Sequence, residues 1–237
     1  MEKDQAHIME LPKTTRKKMS KADVVYDFLL DGVIRGVWLP GDRINDKEIA
    51  EHLGVNRLAA REALSRLIQN EVVEQEQWKG YHIRRVTKQD VLSMVQVRIS
   101  LEELAMRLFL TKSDEIQTAT LKEMYRTIIT SKEYLAEGDH VKFMEIDFTF
   151  HELLYEASGN HMIAKVIGHT RLTTSIMRNI SMGKEPEKFR QAAIISSDEH
   201  LRIYEALVEK DIEAANAALN SHLGVTFVTN ILKNLNQ

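Results

Sequence analysis

A chain of 237 residues, 43% hydrophobic and 28% charged, is long enough for two compact domains with cores of their own. It has no cysteine, which excludes disulfides and thiolate metal sites, and no apolar run near the roughly 18 residues of a membrane span. A net charge of −3 gives no global case for a nucleic-acid partner, so any positive surface has to be local. Residues 1–86 carry 15 Lys and Arg against 14 Asp and Glu. The N-terminus lacks the apolar core of a signal peptide, and the expected compartment is the cytoplasm.

Residues 1–19 are polar, contain Arg16-Lys17-Lys18 and have no clear period; they read as a mobile arm. From Ser20, a suitable N-cap, Val24, Val25, Phe28, Leu29 and Ile34 recur at helical spacing and predict a first helix. A Pro40-Gly41 turn then leads to Asn45 or Asp46, either of which can cap a short helix with Ile49, Ala50 and Leu53 on one face. Gly54 ends that helix by supplying a positive φ. Val55 and Asn56 bridge to a second amphipathic helix over about residues 57–68, with Ala60, Leu64 and Leu67 facing inward. Two short helices joined in this way make a helix-turn-helix, whose second helix normally enters the DNA major groove. Arg57, Arg61 and Arg66 line it. Two β-rich runs, 72–76 and 82–86, flank a Trp78-Lys79-Gly80-Tyr81 turn and predict a hairpin wing marked by Lys79, Arg84 and Arg85.

Thr87 is a further N-cap, and beyond it the pattern is helical throughout. Periodic segments run over about 88–111, 114–137, 139–157, 160–180, 187–209 and 211–235, which predicts an antiparallel bundle of about six helices. The fold class is therefore mainly α: a flexible arm at 1–19, a winged helix-turn-helix over 20–86 and an all-α domain over 87–237. A stripe of Met94, Leu101, Leu104 and Leu108 in the first bundle helix suits packing, within the chain or against a second subunit.

Inside the bundle, Phe143, Ile146, Phe150 and Leu154 form an apolar stripe that also contains Asp147 and His151, four residues apart on one face. His200 lies among Ser196, Ile203 and Leu207, and His222 follows Ala215, Ala218 and Leu219, each on an inward stripe. Burying three imidazoles and a carboxylate unpaired is costly. A divalent cation resolves the cost, because neutral imidazole and carboxylate suit Zn, Ni, Mn or Fe and leave open positions for a small carboxylate or water. Arg98 and Arg171 are candidates to reach an effector carboxylate, with a structural ion pair as the alternative for both.

The stretch from Val24 to Arg85, with its IRGVWLPGDRI, EIAEHLGVNR, REALSRL and KGYHI segments, resembles the DNA-binding domain of the GntR family of bacterial transcription regulators. It departs from the family pattern at Asn56 (usually Ser or Thr), Ala59-Ala60 (often Pro-Val) and Glu71 (usually Gly). The helical half is similar to the FCD effector domain of the FadR-type branch, and its helix number suits the VanR-like subgroup. The resemblance implies a dimer on a palindromic DNA operator, with Lys47, Asn56, Arg57 and Arg61 at the DNA and Lys79 and Gly80 at the wing tip. It also implies that Asp147, His151, His200 and His222 together hold a metal, since many FCD domains carry such a set. The expected function is a repressor controlled by a small carboxylate effector and is not enzymatic. Two alternatives remain: a metal-dependent hydrolase in the bundle, and a bundle that only dimerises and holds no metal.

Overall fold

In α1 (Lys21–Ile34), the Ser20 hydroxyl accepts from the Asp23 amide while the Asp23 carboxylate accepts from the Ser20 amide. Two orphan donors of the first turn are satisfied by this reciprocal capping. The computed structural model describes residues 19–182 and 186–235, so the expected arm with Arg16-Lys17-Lys18 lies outside the described residues. Val25, Phe28, Leu29 and Val33 of α1 pack on Ala60, Leu64 and Leu67 of α3 (Arg57–Gln69). Between them, α2 (Asp46–His52) is capped by Asn45 and followed by Gly54 at φ 63°. Asn56 caps α3 by accepting from the Ala59 amide at 2.8 Å.

The wing differs from a simple hairpin. β2 (Val73–Glu76) pairs antiparallel with β3 (Gly80–Ile83), which also pairs with a two-residue β1 (Arg43–Ile44) just before α2, in the order β1-β3-β2. The predicted second run at 82–86 thus begins and ends earlier, because Gly80 at φ 92° turns the chain straight into the ladder opposite Glu76. Glu71, at φ 56°, occupies the left-handed region that favours glycine, the residue usual there in the resembling family.

The helical half runs through α4 (Lys88–Phe109), α5 (Asp114–Glu137), α6 (His140–Ala157), α7 (His161–Met182) and α8 (Pro186–Val208). The predicted last helix is interrupted. It forms α9 (Ile212–Leu219), a π-helical segment Asn220–Phe227 and α10 (Val228–Leu235). A continuous core of Met106, Phe109, Met124, Phe150, Leu154 and Leu223 fills the bundle. Met94, Leu101, Leu104 and Leu108 are half-buried against it. Among the described residues no helix is long and apolar enough to cross a membrane.

The two halves meet along α7. Ile176 is buried in the winged-helix core, and Asn179 donates from Nδ2 to the carbonyls of Val33 and Ile34 at 3.0 and 3.1 Å. Those carbonyls belong to the last turn of α1; the Val33 carbonyl also accepts from the Gly36 amide at 3.1 Å. A second tie runs from Arg84, after the wing, to Asp90 in the first turn of α4 at 3.2 Å.

Candidate metal centre and DNA interface

Three elements bring three imidazoles together. His151 of α6, His200 of α8 and His222 of the π-helical segment are buried, and one ring nitrogen from each lies within 4.8 Å of the others. π-Helical turns inside α-helices recur at functional sites. Here the wider turn carries His222 to the bundle interior. The His151 and His200 Nε2 atoms are 3.1 Å apart, and His200 stacks on Phe150 with ring centroids 4.2 Å apart.

Carboxylates fix the outer nitrogens. His151 Nδ1 donates to Glu102 Oε2 at 2.8 Å, and His222 Nδ1 donates to Glu199 Oε2 at 3.0 Å. Glu102 also accepts from the Tyr155 hydroxyl at 2.7 Å and from Arg98 Nη2 at 2.9 Å, and Glu199 accepts from the Thr226 hydroxyl at 2.6 Å. With both Nδ1–H groups engaged, the Nε2 atoms of His151 and His222 are left as lone-pair donors to an acceptor such as a cation or an N–H. Carboxylate–histidine pairs of this kind set the tautomer and ring orientation of metal-bound imidazoles.

The charge states agree with that arrangement. Burial pushes the His200 imidazole well below its ordinary pKa, and the neighbouring His222 and His151 rings act in the same direction. Burial also lowers His151, against the opposing pull of Glu102. For Glu102 burial acts upward, yet His151 and Arg98 outweigh it and hold the carboxyl well below the usual range. Neutral imidazole is the form that binds a metal. Two nitrogens bound to one ion at about 2.0–2.1 Å sit about 3.3–3.4 Å apart in a tetrahedral shell and about 2.8–3.0 Å apart as neighbours in an octahedral one. The His151–His200 spacing of 3.1 Å is within about 0.3 Å of either.

Asp147 stands slightly apart from the three nitrogens. Its carboxylate accepts from the Ser196 hydroxyl at 2.8 Å, pairs with Arg178 of α7, and comes within 3.6 Å of His200 Nδ1. Arg98, Asp147, His151, Arg178 and His222 line a cavity of about 30 Å³. Arg98 is thus both a structural partner of Glu102 and a wall of the cavity. The Arg171 side chain lies outside the described residues. Sequence reasoning missed Glu102, Glu199, Tyr155 and Arg178.

On the winged helix, one carboxylate organises two arginines. Asp46 is 6% exposed; its Oδ1 accepts from Arg57 Nη2 at 3.0 Å, and its Oδ2 accepts from Arg57 Nε and Arg61 Nε, both at 2.8 Å. Hydrogen bonding from Arg57 brings the Asp46 carboxyl down to about 2, against the opposing effect of burial. The two guanidinium side chains remain 55% and 53% exposed. Arg66 turns the other way, to Asp23 at 2.7 Å and over the Tyr26 ring, and so braces α3 against α1. Lys47 is exposed beside Glu51 at 3.7 Å, and Lys79 pairs with Glu76 at 2.6 Å near Gly80. Asn56 spends its side-chain oxygen on the cap of α3. Two apolar side chains of the winged helix stand out: Leu58 in the first turn of α3 and Trp78 at the wing tip, 75% and 95% exposed.

Fold and site together define a winged-helix DNA-binding protein with an all-α effector half. The FCD domain family matches residues 93–225, and the gntR family of bacterial regulatory proteins matches residues 21–83. The chain belongs to the GntR family of transcription regulators, in the branch that carries an FCD domain; these proteins are regulators and not enzymes. It is 27% identical over 197 residues to the uncharacterized HTH-type regulator YdhC of Bacillus subtilis, spanning 83% of this chain and 85% of that one. It is 26% identical to a probable D-xylose utilization operon repressor of Paenarthrobacter nicotinovorans, over 88% and 89% of the two chains. Two solved structures share the fold. A putative GntR regulator from Rhodococcus sp. RHA1 has a TM-score of 0.75 at 22% identity, over 90% of this chain and 98% of that one. E. coli McbR/YncC has a TM-score of 0.71 at 19% identity, over 91% and 99%.

Proposed function

We propose that this regulator is a cytoplasmic, homodimeric repressor whose bundle holds a divalent transition metal on His151, His200 and His222, with Asp147 as the fourth ligand. The functional division falls near residue 87. The observation that carries the metal reading is the convergence of imidazole nitrogens whose outer N–H groups are already taken by Glu102 and Glu199. Without a cation, His200 Nε2–H donates to His151 Nε2 at 3.1 Å, which leaves the His200 Nδ1 lone pair toward the Asp147 carboxylate at 3.6 Å in a buried site. This counts against a bundle that serves dimerisation alone. A bound metal supplies a Lewis-acidic centre for a small carboxylate effector. Arg98 and Arg178 supply positive charge beside it.

At the DNA, Arg57 and Arg61 carry the base and phosphate contacts from the start of the recognition helix. Asp46 holds both side chains in place before DNA arrives. Lys47 and Asn56 stand beside them, and Lys79 and Gly80 bring the wing tip to the backbone or minor groove. Leu58 suits contact with a thymine methyl group. Two such units on a two-fold axis match a palindromic operator. The half-buried stripe of Met94, Leu101, Leu104 and Leu108, with exposed Val97 among it, supports a second subunit against α4. Helix α7 couples the halves, because Arg178 lines the effector cavity while Ile176 and Asn179 hold the winged helix. An effector shifts DNA affinity only through different affinities for the competent and incompetent states.

The test uses operator fragments selected in vitro from genomic DNA and a panel of small mono-, di- and tricarboxylates. Fluorescence anisotropy should show an acid that changes DNA affinity for the metal-loaded wild type and leaves His200→Ala/His222→Ala unaffected. Equal responses in both proteins would remove the metal from the effector reading.

A further inference from the structure

The cavity at the histidines has room for about one water molecule or ion at about 30 Å³. An organic effector with more than a few atoms has to place its body elsewhere. A second cavity, of about 530 Å³, opens between the two halves of the molecule. Its size falls within the roughly 300–1,000 Å³ of small-molecule sites, which favour domain junctions. Its floor is the first turns of α6 and the face of α7 that carries Ser175, Arg178 and Asn179. Its roof is the connection from α1 to β1, including Val37, Leu39 and Asp42.

Phe148 and Arg178 line both cavities, so the larger one adjoins the histidine site. The lining is chemically divided. Ile34, Val37 and Met144 are apolar, and Phe189 offers a flat surface stacked on His140 with centroids 4.0 Å apart. Positive charge comes from Arg178, paired on its far side with Asp147, and from Arg35, paired with Asp31 at 2.8 Å; His140 and Val141 bring the Asp139-capped first turn of α6 to the wall. Of the two acids, Asp42 already accepts from the Leu39 amide at 2.7 Å, and Glu145 sits exposed at the rim. A ring or short branched hydrocarbon with one anionic group fits this division.

We infer that the cavity between the halves is a binding site for an amphipathic organic anion, with its ring against Phe148 and Phe189 and its anionic group toward Arg178. The inference rests on the proposed effector control and gives the effector's body a place. The occupant touches the connection that leads from α1 to β1 of the wing sheet. It also touches α7, whose Asn179 caps α1. A ligand there acts on the placement of the DNA-reading half directly.

The probe is 8-anilinonaphthalene-1-sulfonate, an aromatic anion that fluoresces when shielded from water. Wild type should bind it saturably and slow amide exchange in both walls, at 36–42 and at 140–148. Val141→Trp or Met144→Trp fills the cavity and should weaken binding at least about tenfold, with the thermal midpoint retained in at least one of them. Wild type treated with a chelator should bind within about twofold of untreated protein, which separates this site from the metal. Unchanged affinity in a folded filling variant, protection of one wall only, or loss of binding on chelator treatment would each overturn the inference. Loss of the metal reading alone would leave these results standing.

Discussion

Asp46 on the winged helix and Glu102 in the bundle are both carboxylates that gather several nitrogen donors, and they differ in what surrounds those donors. Asp46 holds two arginines whose side chains are more than half exposed, whereas Glu102 holds Arg98, His151 and Tyr155, all buried. Exposed pairs are screened by water and contribute little to stability, so the Asp46 arginines can exchange partners for phosphate at small cost. Removing one member of a buried set leaves an uncompensated charge. The same chemistry therefore makes an adjustable surface in one place and a fixed scaffold in the other.

That contrast is broken most strongly at Glu102. Glu102→Ala should destabilise the fold by about 3–5 kcal/mol in urea denaturation, because Arg98 would stay buried without its partner. A loss under 1 kcal/mol (roughly) would place Glu102 with the surface pairs instead. Asp46→Asn should leave the fold nearly intact but cost about 1–3 kcal/mol of operator discrimination, read by anisotropy against non-specific DNA. The same variant tests a pH dependence. With its folded-state pKa lowered to about 2, Asp46 adds stability above the unfolded-state value of about 3.9 that is lost as pH falls toward the folded one. Wild type should therefore lose stability over that acid window by up to about 1 kcal/mol more than Asp46→Asn, a limit set by solvent screening of the arginines. Asn179→Ala removes two hydrogen bonds to the end of α1 and should cost about 1 kcal/mol. It should also speed amide exchange in that turn. Trp78→Ala should shift stability by no more than about 0.5 kcal/mol, yet change the intrinsic fluorescence response to DNA.

Much of the winged helix was legible because its signals are local. Gly54 needs a positive φ, Asn45 and Asn56 cap helices, and Ala60, Leu64 and Leu67 repeat at helical spacing. Strand β1 was hidden: two residues carry no period, and their pairing with β3 joins positions far apart in sequence. In the bundle, Asp147 and His151 stood out as polar residues on an apolar stripe. Glu102 did not, since Arg98 and Glu102 four apart look like any solvated helix pair until packing buries them. Arg178 was invisible for a similar reason, and only the fold sets it between two cavities. The π-helical turn around His222 left no pattern beyond Gly224, whose missing Cβ gives Ile99 its space.

The metal centre is what would tie the buried histidines to effector control. Elemental analysis of protein purified without a His-tag tests it most directly, for wild type and for His200→Ala/His222→Ala. Wild type should hold a transition metal in stoichiometric amount and the variant little. Wild type that holds no metal, even after incubation with Zn, Ni and Mn, would contradict it.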